Sequence, residues 1–291
     1  MVIKIKIKNI IKIIYQSFVN TIRHDGIEHA GYLSFLLMLA IFPFLVFFTA
    51  IIGTISAFAN IPLIGTLTNL IINSPWANFI DSLKPRIIEI SILPPQSFLT
   101  IAILSAIWTA SSIFEAIRTT LNRAYDIQNP PAYIFRRLLS ILEFIIVIII
   151  VAIAVLTLII IPAIWGFLEE HITMPDLHFI FLVDSNLTII RSIILYFFGI
   201  IFVSYLYYFL PNKKQKLINI LPGVILVLFS WSSFSNIFRY YISYFPQINM
   251  IYGSIAGVII SLLYFYFCSL ILIYGAEFNH LLEQELKKKN E

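Results

Sequence analysis

The chain contains six long apolar runs, and each is long enough to cross a lipid bilayer once. An α-helix rises about 1.5 Å per residue and the hydrocarbon core of a bilayer is about 30 Å thick, so a span needs about 20 apolar residues. The runs cover residues 30–57, 97–114, 138–167, 188–210, 217–238 and 253–278. They predict an all-α integral membrane protein with six transmembrane helices in one bundle.

The composition agrees with this class and excludes others. Of the 291 residues, 60% are hydrophobic and 12% are charged, whereas a soluble domain carries about 25% charged residues. Too little charge is available to cover a water-facing surface, which excludes a soluble enzyme and a disordered chain. The single cysteine, Cys268, leaves no intrachain disulfide and no cysteine-based metal site.

The third run is rich in β-branched residues, as its stretch 144–151 shows. In water such a stretch would indicate a buried strand. In lipid every backbone group must be satisfied within the segment, so a helix is favoured.

The basic residues are distributed unevenly between the loops. Fifteen of the 19 Lys and Arg residues lie before the first span, after the second, after the fourth and after the sixth. These four segments share one side of the membrane only if there are six spans. Because cytoplasmic loops carry the excess of Lys and Arg, the count predicts that both termini are cytoplasmic.

Residues 1–29 form a basic segment with apolar residues at three- and four-residue spacing. The apolar stripe consists of Ile3, Ile7, Ile10, Ile14, Phe18 and Ile22. With lysines between them, this pattern predicts an amphipathic helix on the inner leaflet, although the alternating Ile-Lys start is also compatible with a strand. Residues 30–278 form the membrane domain, and residues 279–291 form a basic cytoplasmic tail. The N-terminal segment, residues 1–29, has no apolar core or cleavage site typical of a signal peptide.

The first outer loop, residues 58–96, contains five prolines and apolar stretches that are too short to span. These stretches predict short helices at the outer surface or dipping into the bundle.

Ionisable residues near the spans are few, and they lie close to the span ends. Glu115 ends the second span, and Arg118 follows on the same helix face. Glu143 lies in the third span near Arg136 and Arg137, which ease the cost of its charge. An intramembrane charge is functional by default and needs a partner, but near a membrane boundary helix-end pairing or interfacial anchoring is the favoured interpretation.

Glu277 ends the sixth span, and Arg239 lies at the outer end of the fifth. Two stretches of uncharged polar residues, 108–112 and 230–236, lie at membrane depth in the second and fifth spans. Such residues either join helices by hydrogen bonds or line a polar cavity.

Catalytic patterns are missing from the sequence. The chain has no zinc-protease pattern, no nucleophile-elbow pattern and no phosphate-binding glycine loop. The stretch from His24 to His29 could be drawn as a metal site, but a solvated polar face is the favoured interpretation. We therefore expect no enzymatic activity, no catalytic residues, no cofactor and no metal.

Three stretches together resemble the YihY/BrkB family of bacterial inner-membrane proteins. They are Ala-Gly-Tyr-Leu-Ser-Phe leading to Ile-Phe-Pro in residues 30–43, Ile-Trp-Thr-Ala-Ser-Ser leading to Leu-Asn-Arg-Ala-Tyr in residues 107–125, and Leu-Pro-Gly, Asn-Met-Ile-Tyr-Gly-Ser and Tyr-Gly-Ala-Glu-Phe-Asn in residues 221–279. The order and spacing of the three carry the resemblance. Ala40 departs from it, because many members have Ser before Leu-Phe-Pro.

The resemblance implies a six-span inner-membrane protein with both termini inside. Members were long labelled ribonuclease BN, an assignment generally regarded as mistaken. Others are called virulence or serum-resistance factors, and a role in moving envelope lipids has been suggested.

We predict a transporter-like or flippase-like protein for an envelope lipid or small amphiphilic solute, with membrane lipids as partners and no nucleic acid. The candidate residues are Glu115, Arg118, Asn122 and Arg123 at the inner mouth, Arg239, Asn249 and Tyr252 at the outer mouth, and Glu277. Arginine suits a phosphate or carboxylate head group because its planar fork binds two oxygens at once. The alternative is a non-catalytic scaffold that supports envelope integrity, and a ribonuclease is disfavoured. A homo-oligomer is left open.

Overall fold

The structure is a computed structural model that describes residues 7–41, 96–127, 131–171, 183–244 and 256–288. Within these ranges the regular secondary structure is entirely helical. The helices are α1 (Ile7–Arg23), α2 (Gly26–Ile41), α3 (Gln96–Ala124), α4 (Tyr133–His171), α5 (Val183–Phe209), α6 (Leu217–Tyr244) and α7 (Ala256–Lys288).

Four of these helices are long and apolar enough to cross a membrane. The apolar segments are Tyr133–Ala154, Ser192–Phe209, Leu217–Ile242 and Ala256–Lys288, which coincide with the third to sixth predicted spans. The β-branched stretch 144–151 lies within α4, so the prediction of a helix there is confirmed. Of the first predicted span, the part up to Ile41 is helical. The rest of that span and the loop up to residue 95, where short helices are predicted, lie outside the described residues.

Helix α7 is longer than the sequence predicts. It continues past residue 278, the predicted end of the sixth span, to Lys288. At 1.5 Å per residue its 33 residues extend about 50 Å, which exceeds the thickness of the hydrocarbon core. The extra length gives α1 a surface to pack against, where Ile13 is buried with Phe278 and Leu282.

Helices α6 and α7 pack antiparallel, and two glycines allow their close approach. The backbone N–H of Gly223 donates to Asn279 Oδ1 at 2.7 Å, and Asn279 Nδ2 donates to the Ile220 carbonyl at 3.0 Å. A Cβ at Gly223 would overlap the Asn279 side chain. A Cβ at Gly275 would overlap Val227 and the Tyr207 hydroxyl. The Pro-Gly and Gly-Ala-Glu-Phe-Asn stretches of the sequence therefore meet at one helix crossing.

The outer surface of the bundle is apolar. Large side chains such as Ile134, Leu138, Ile225 and Phe229 are exposed on α4 and α6. A soluble monomer rarely exposes continuous apolar surface on this scale, whereas a bilayer is a suitable environment for it.

We predict that Gly275→Ala destabilises the bundle by about 1–3 kcal/mol, because overpacking a tight contact forces side chains from their preferred positions. Gly257→Ala is the matched control, since no atom of the described residues lies within 4 Å of a Cβ at that helical position. The thermal unfolding midpoint in detergent measures both. Equal midpoints for the two variants would contradict the tight crossing.

Candidate functional site at the basic end of the bundle

The Arg118 side chain is buried, with 1% of its surface exposed, and it contacts two other parts of the chain. Its Nε donates to the carbonyl of Leu210, just after α5, at 3.2 Å. Its Nη1 donates to the Arg136 carbonyl at 2.8 Å and to Ser140 Oγ at 3.2 Å, both on α4. Its Nη2 pairs with the Glu143 carboxylate. One guanidinium thus joins α3 to α4 and to the end of α5.

Glu115 completes the charge balance around Arg118. Its Oε1 lies 3.1 Å from Arg136 Nη1, and its Oε2 lies 3.4 Å from Arg118 Nη1. We call Glu115, Arg118, Arg136, Ser140 and Glu143 the polar layer. Two arginines face two carboxylates in it, so the layer is formally neutral, as a buried ionic cluster must be to offset desolvation. The expected pairing of Glu115 with Arg118 is present, but the partner of Glu143 is Arg118 rather than Arg136 or Arg137.

Arg137 lies outside the polar layer and contacts the polar stretch 108–112 of α3. Its Nη1 donates to Ser112 Oγ at 3.0 Å and its Nη2 donates to the Trp108 carbonyl at 2.5 Å. The guanidinium carbon lies 4.3 Å from the centre of the Trp108 ring, a cation–π distance. Part of the polar stretch 108–112 therefore serves to hold α4 against α3.

The turn between α5 and α6 is tied to two other helices. Asn122 Oδ1 accepts the backbone N–H of Asn212 at 2.8 Å. Lys213 Nζ lies 2.7 Å from Glu283 Oε2 on α7. The turn thus fastens the end of α3 to the extended part of α7.

The turn between α1 and α2 is held by two side-chain contacts to other helices. His24 Nδ1 lies 2.6 Å from Glu277 Oε1, and Glu277 is fully buried. Asp25, whose φ is 54°, pairs with Arg123 on α3. The stretch from His24 to His29, interpreted from the sequence as a solvated polar face, is partly exposed, and His24 and Asp25 also have partners on other helices. Glu277 lies in the interior of α7 rather than at a helix end.

These contacts define the basic end of the bundle. It is the end where α1, α3 and α5 finish and α2, α4 and α6 begin, beside the last turns of α7. The Tyr125 ring, just after α3, lies 6.0 Å from the His280 ring and 5.4 Å from Lys213 Nζ. Burial raises the pKa of the Tyr125 hydroxyl, so it stays neutral.

An open cavity of about 480 Å³ lies at the basic end. Its lining residues are His24, His29, Thr119, Asn122, Arg123, Asp126, Ile127 and Arg136. Burial lowers the pKa of His29, and the nearby Arg123 charge acts in the same direction. Its imidazole is therefore neutral near pH 7.

The cavity is bordered by the turn that ends α3. The Ile127 N–H donates to the Asn122 carbonyl at 2.8 Å and the Asp126 N–H donates to the Arg123 carbonyl at 3.0 Å. These bonds form a helix-ending motif in which Asp126 adopts a φ of 54°. Aspartate tolerates this left-handed conformation better than most residues.

The structure brings together five of the eight predicted site residues. Glu115, Arg118, Asn122, Arg123 and Glu277 all lie at the basic end. Arg239 is exposed on α6. Asn249 and Tyr252 lie outside the described residues.

Sequence reasoning missed the part that α4 takes in the site. Arg136, Ser140 and Glu143 follow at four- and three-residue spacing, which places them on one helix face. That spacing, recurring at the start of an apolar helix, is the signal that could have identified the polar layer. Among the described side chains, no group of three His, Cys, Asp or Glu residues is arranged to hold a metal ion.

Long apolar helices with an exposed apolar surface, joined by buried ion pairs, define an integral membrane protein. The chain belongs to the BrkB family: the family model described as virulence factor BrkB matches residues 17–291. This agrees with the resemblance found in the sequence motifs.

Two relatives are similar to this chain over most of their length, and a third is similar over a shorter segment. YfkH of Bacillus subtilis (strain 168), named as a ribonuclease-like protein, is 27% identical over 270 residues, which cover 92% of this chain and 94% of YfkH. A UPF0761 membrane protein of Pseudoalteromonas atlantica is 26% identical over 283 residues, covering 93% and 86%. A UPF0761 membrane protein of Vibrio campbellii is 39% identical over 74 residues, covering 25% and 23%. No solved structure matches this chain.

We predict that Arg118→Leu destabilises the protein by about 3–5 kcal/mol, because it leaves the buried Glu143 carboxylate without its partner. Adding Glu143→Leu should recover part of that loss, since the double variant buries no unpaired charge at this contact. Thermal unfolding in detergent measures the single and double variants. Additive losses would show that the two side chains are not coupled.

Proposed function

We propose that this protein is a transporter-like or flippase-like protein of the bacterial inner membrane, acting on an envelope lipid or small amphiphilic solute, and that it is not an enzyme. The observation that carries the proposal is the position of the cavity. Arg136 lines the cavity, while its neighbours Ile134, Phe135 and Leu138 on the same helix are exposed. A polar cavity beside an apolar surface suits a molecule with a polar head and an apolar tail.

The proposal includes six spans with both termini in the cytoplasm. The four long apolar helices support it, as does α2 at the start of a further predicted span. The exposed apolar stripe of α1, which includes Ile10, Ile14 and Phe18, supports an interfacial position for that helix. The basic end then faces the cytoplasm, where anionic lipid attracts Lys and Arg.

Cysteine labelling tests this topology, because Cys268→Ala removes the single native thiol. We expect Lys214→Cys, at the basic end, to be protected from a membrane-impermeant maleimide in intact spheroplasts. Asp176→Cys, between the third and fourth predicted spans, should be labelled. The opposite labelling pattern would contradict the proposed orientation.

Transport is tested with the purified protein in lipid vesicles. We expect movement of labelled lipids or amphiphilic solutes above that of empty vesicles, and Arg123→Gln should lower the rate several-fold. Arg123 is about half exposed and its pair with Asp25 is a surface pair worth about 0–1 kcal/mol, so the unfolding midpoint should change little. Lys288→Gln, which removes an exposed charge far along α7, is the control. No movement over a broad panel would refute the proposal.

A scaffold is the second candidate, and the polar residues of α6 favour it. Ser232 Oγ lies 2.8 Å from the Tyr196 hydroxyl, and Ser235 Oγ lies 2.8 Å from the Tyr264 hydroxyl. Trp231 Nε1 donates to the Cys268 carbonyl at 3.0 Å. These side chains join helices. In cells that contain Arg123→Gln at wild-type abundance, a scaffold keeps its envelope phenotype and a transporter loses it.

A further inference from the structure

Helix α1 turns its less apolar face towards the bundle. Among the described side chains of α1, the buried ones are Ile13, Ser17 and Thr21, spaced by four residues. The Ser17 and Thr21 hydroxyls donate to carbonyls of α1 itself, at 2.7 and 2.8 Å. Ile13 alone supplies a buried apolar side chain, in a small cluster with Phe278 and Leu282 that is separate from the main core. The bundle therefore holds α1 through little apolar contact.

The opposite face of α1 is apolar and exposed. Its exposed large side chains are Ile10, Ile11, Ile14, Tyr15, Phe18 and Ile22. Burial of such side chains at the boundary between headgroups and acyl chains is what binds an amphipathic helix to a membrane. More apolar surface of α1 is thus available to lipid than is buried against the protein.

Directed side-chain contacts hold α1 in its docked position. His24 Nδ1 lies 2.6 Å from Glu277 Oε1, and Asp25 pairs with Arg123. The Tyr274 hydroxyl donates to a carbonyl of α1 at 3.2 Å. Because the Asp25–Arg123 pair is about half exposed, it contributes little to stability. The contact between His24 and the buried Glu277 is therefore the main polar attachment of α1.

The turn that follows α1 connects this helix to the cavity. His24 lines the cavity and also covers Glu277, none of whose surface is exposed. Asp25 adopts a φ of 54°, and a Cβ at Gly26 would overlap the Thr21 carbonyl. A few residues at the end of an element can absorb the dihedral change of a hinge. Displacement of His24 would connect the cavity with the Glu277 carboxylate.

We propose that α1 is a lid over Glu277, which is closed when α1 is docked on α7 and opens when α1 is released into the lipid. Segments with few buried apolar contacts open at a low cost in free energy, and the bilayer retains the released helix. The inference rests on the proposed function for its effect on lipid movement, whereas the opening of the lid is measured separately.

Opening is measured by thiol labelling of the full chain in vesicles of phosphatidylethanolamine and phosphatidylglycerol. Cys268→Ala removes the native thiol, and Leu282→Cys places a new one in the cluster that α1 covers. Because release of α1 uncovers this thiol, its rate of reaction with N-ethylmaleimide reports the opening. We expect His24→Ala to raise the rate several-fold, since it removes the contact with Glu277.

Two controls separate release of α1 from a general loosening of the fold. Leu210→Cys places a thiol at the basic end but in the main core, where Leu210 is fully buried, and its rate should not change with His24→Ala. Glu28→Ala, at an exposed position of α2, should leave both rates unchanged. An unchanged rate for Leu282→Cys in the His24→Ala variant, or an equal rise at both thiols, would overturn the proposal.

The effect on lipid movement is tested by locking α1 in its docked position. Ile13 and Leu282 lie in one cluster, so a short, reducible bis-methanethiosulfonate reagent can join cysteines at these two positions. We expect the cross-linked protein to move labelled lipid several-fold more slowly than the untreated protein, and a reducing agent to restore the rate. Each single-cysteine variant, treated in the same way, should keep its rate.

The outcomes distinguish the lid from the transport function. Lipid movement that a complete cross-link leaves unchanged would overturn the lid and leave the proposed function intact. If no variant moves lipid, the transport function is removed, while faster labelling of Leu282→Cys in the His24→Ala variant would still support a releasable α1.

Discussion

A guanidinium that is buried in a membrane protein must find all its hydrogen-bond acceptors inside the fold, and Arg118 imposes this requirement on its neighbours. Its partners come from the end of α5, from the backbone and side chains of α4, and from its own helix. Because breaking any of these contacts would leave a buried charge uncompensated, the relative positions of three helices are coupled at one residue.

Other buried donors also find their acceptors inside the fold, at backbone carbonyls of neighbouring helices. Asn279 donates to Ile220, and Tyr207 donates to the Leu272 carbonyl at 2.5 Å. In water such bonds compete with solvent and contribute little net free energy, whereas lipid offers no competing partner. The α6–α7 crossing therefore combines close backbone contact with directional hydrogen bonds, and the expected cost of a single methyl group at Gly275 follows from that combination.

The long apolar segments could be predicted from the sequence because their length is set by the bilayer, a constraint that acts on each helix separately. The extension of α7 to Lys288 could not be predicted from hydropathy, because its polar turns are stabilised by α1 and by Lys213. Ion pairs between side chains on different helices could likewise not be predicted from the sequence. Arg118 and Glu115 are three residues apart on one helix, so their pairing is predictable from the sequence. The partner of Glu143 comes from another helix, and the separation of two residues in the sequence does not indicate such a contact.

The polar layer also constrains how the protein is made. Arg118 and Glu143 belong to successive helices, and each without the other would leave a buried charge unpaired near the end of an apolar segment. In the folded bundle the two side chains neutralise one another. We therefore expect α3 and α4 to assemble as a helical hairpin, and α3 synthesised without α4 to integrate less efficiently.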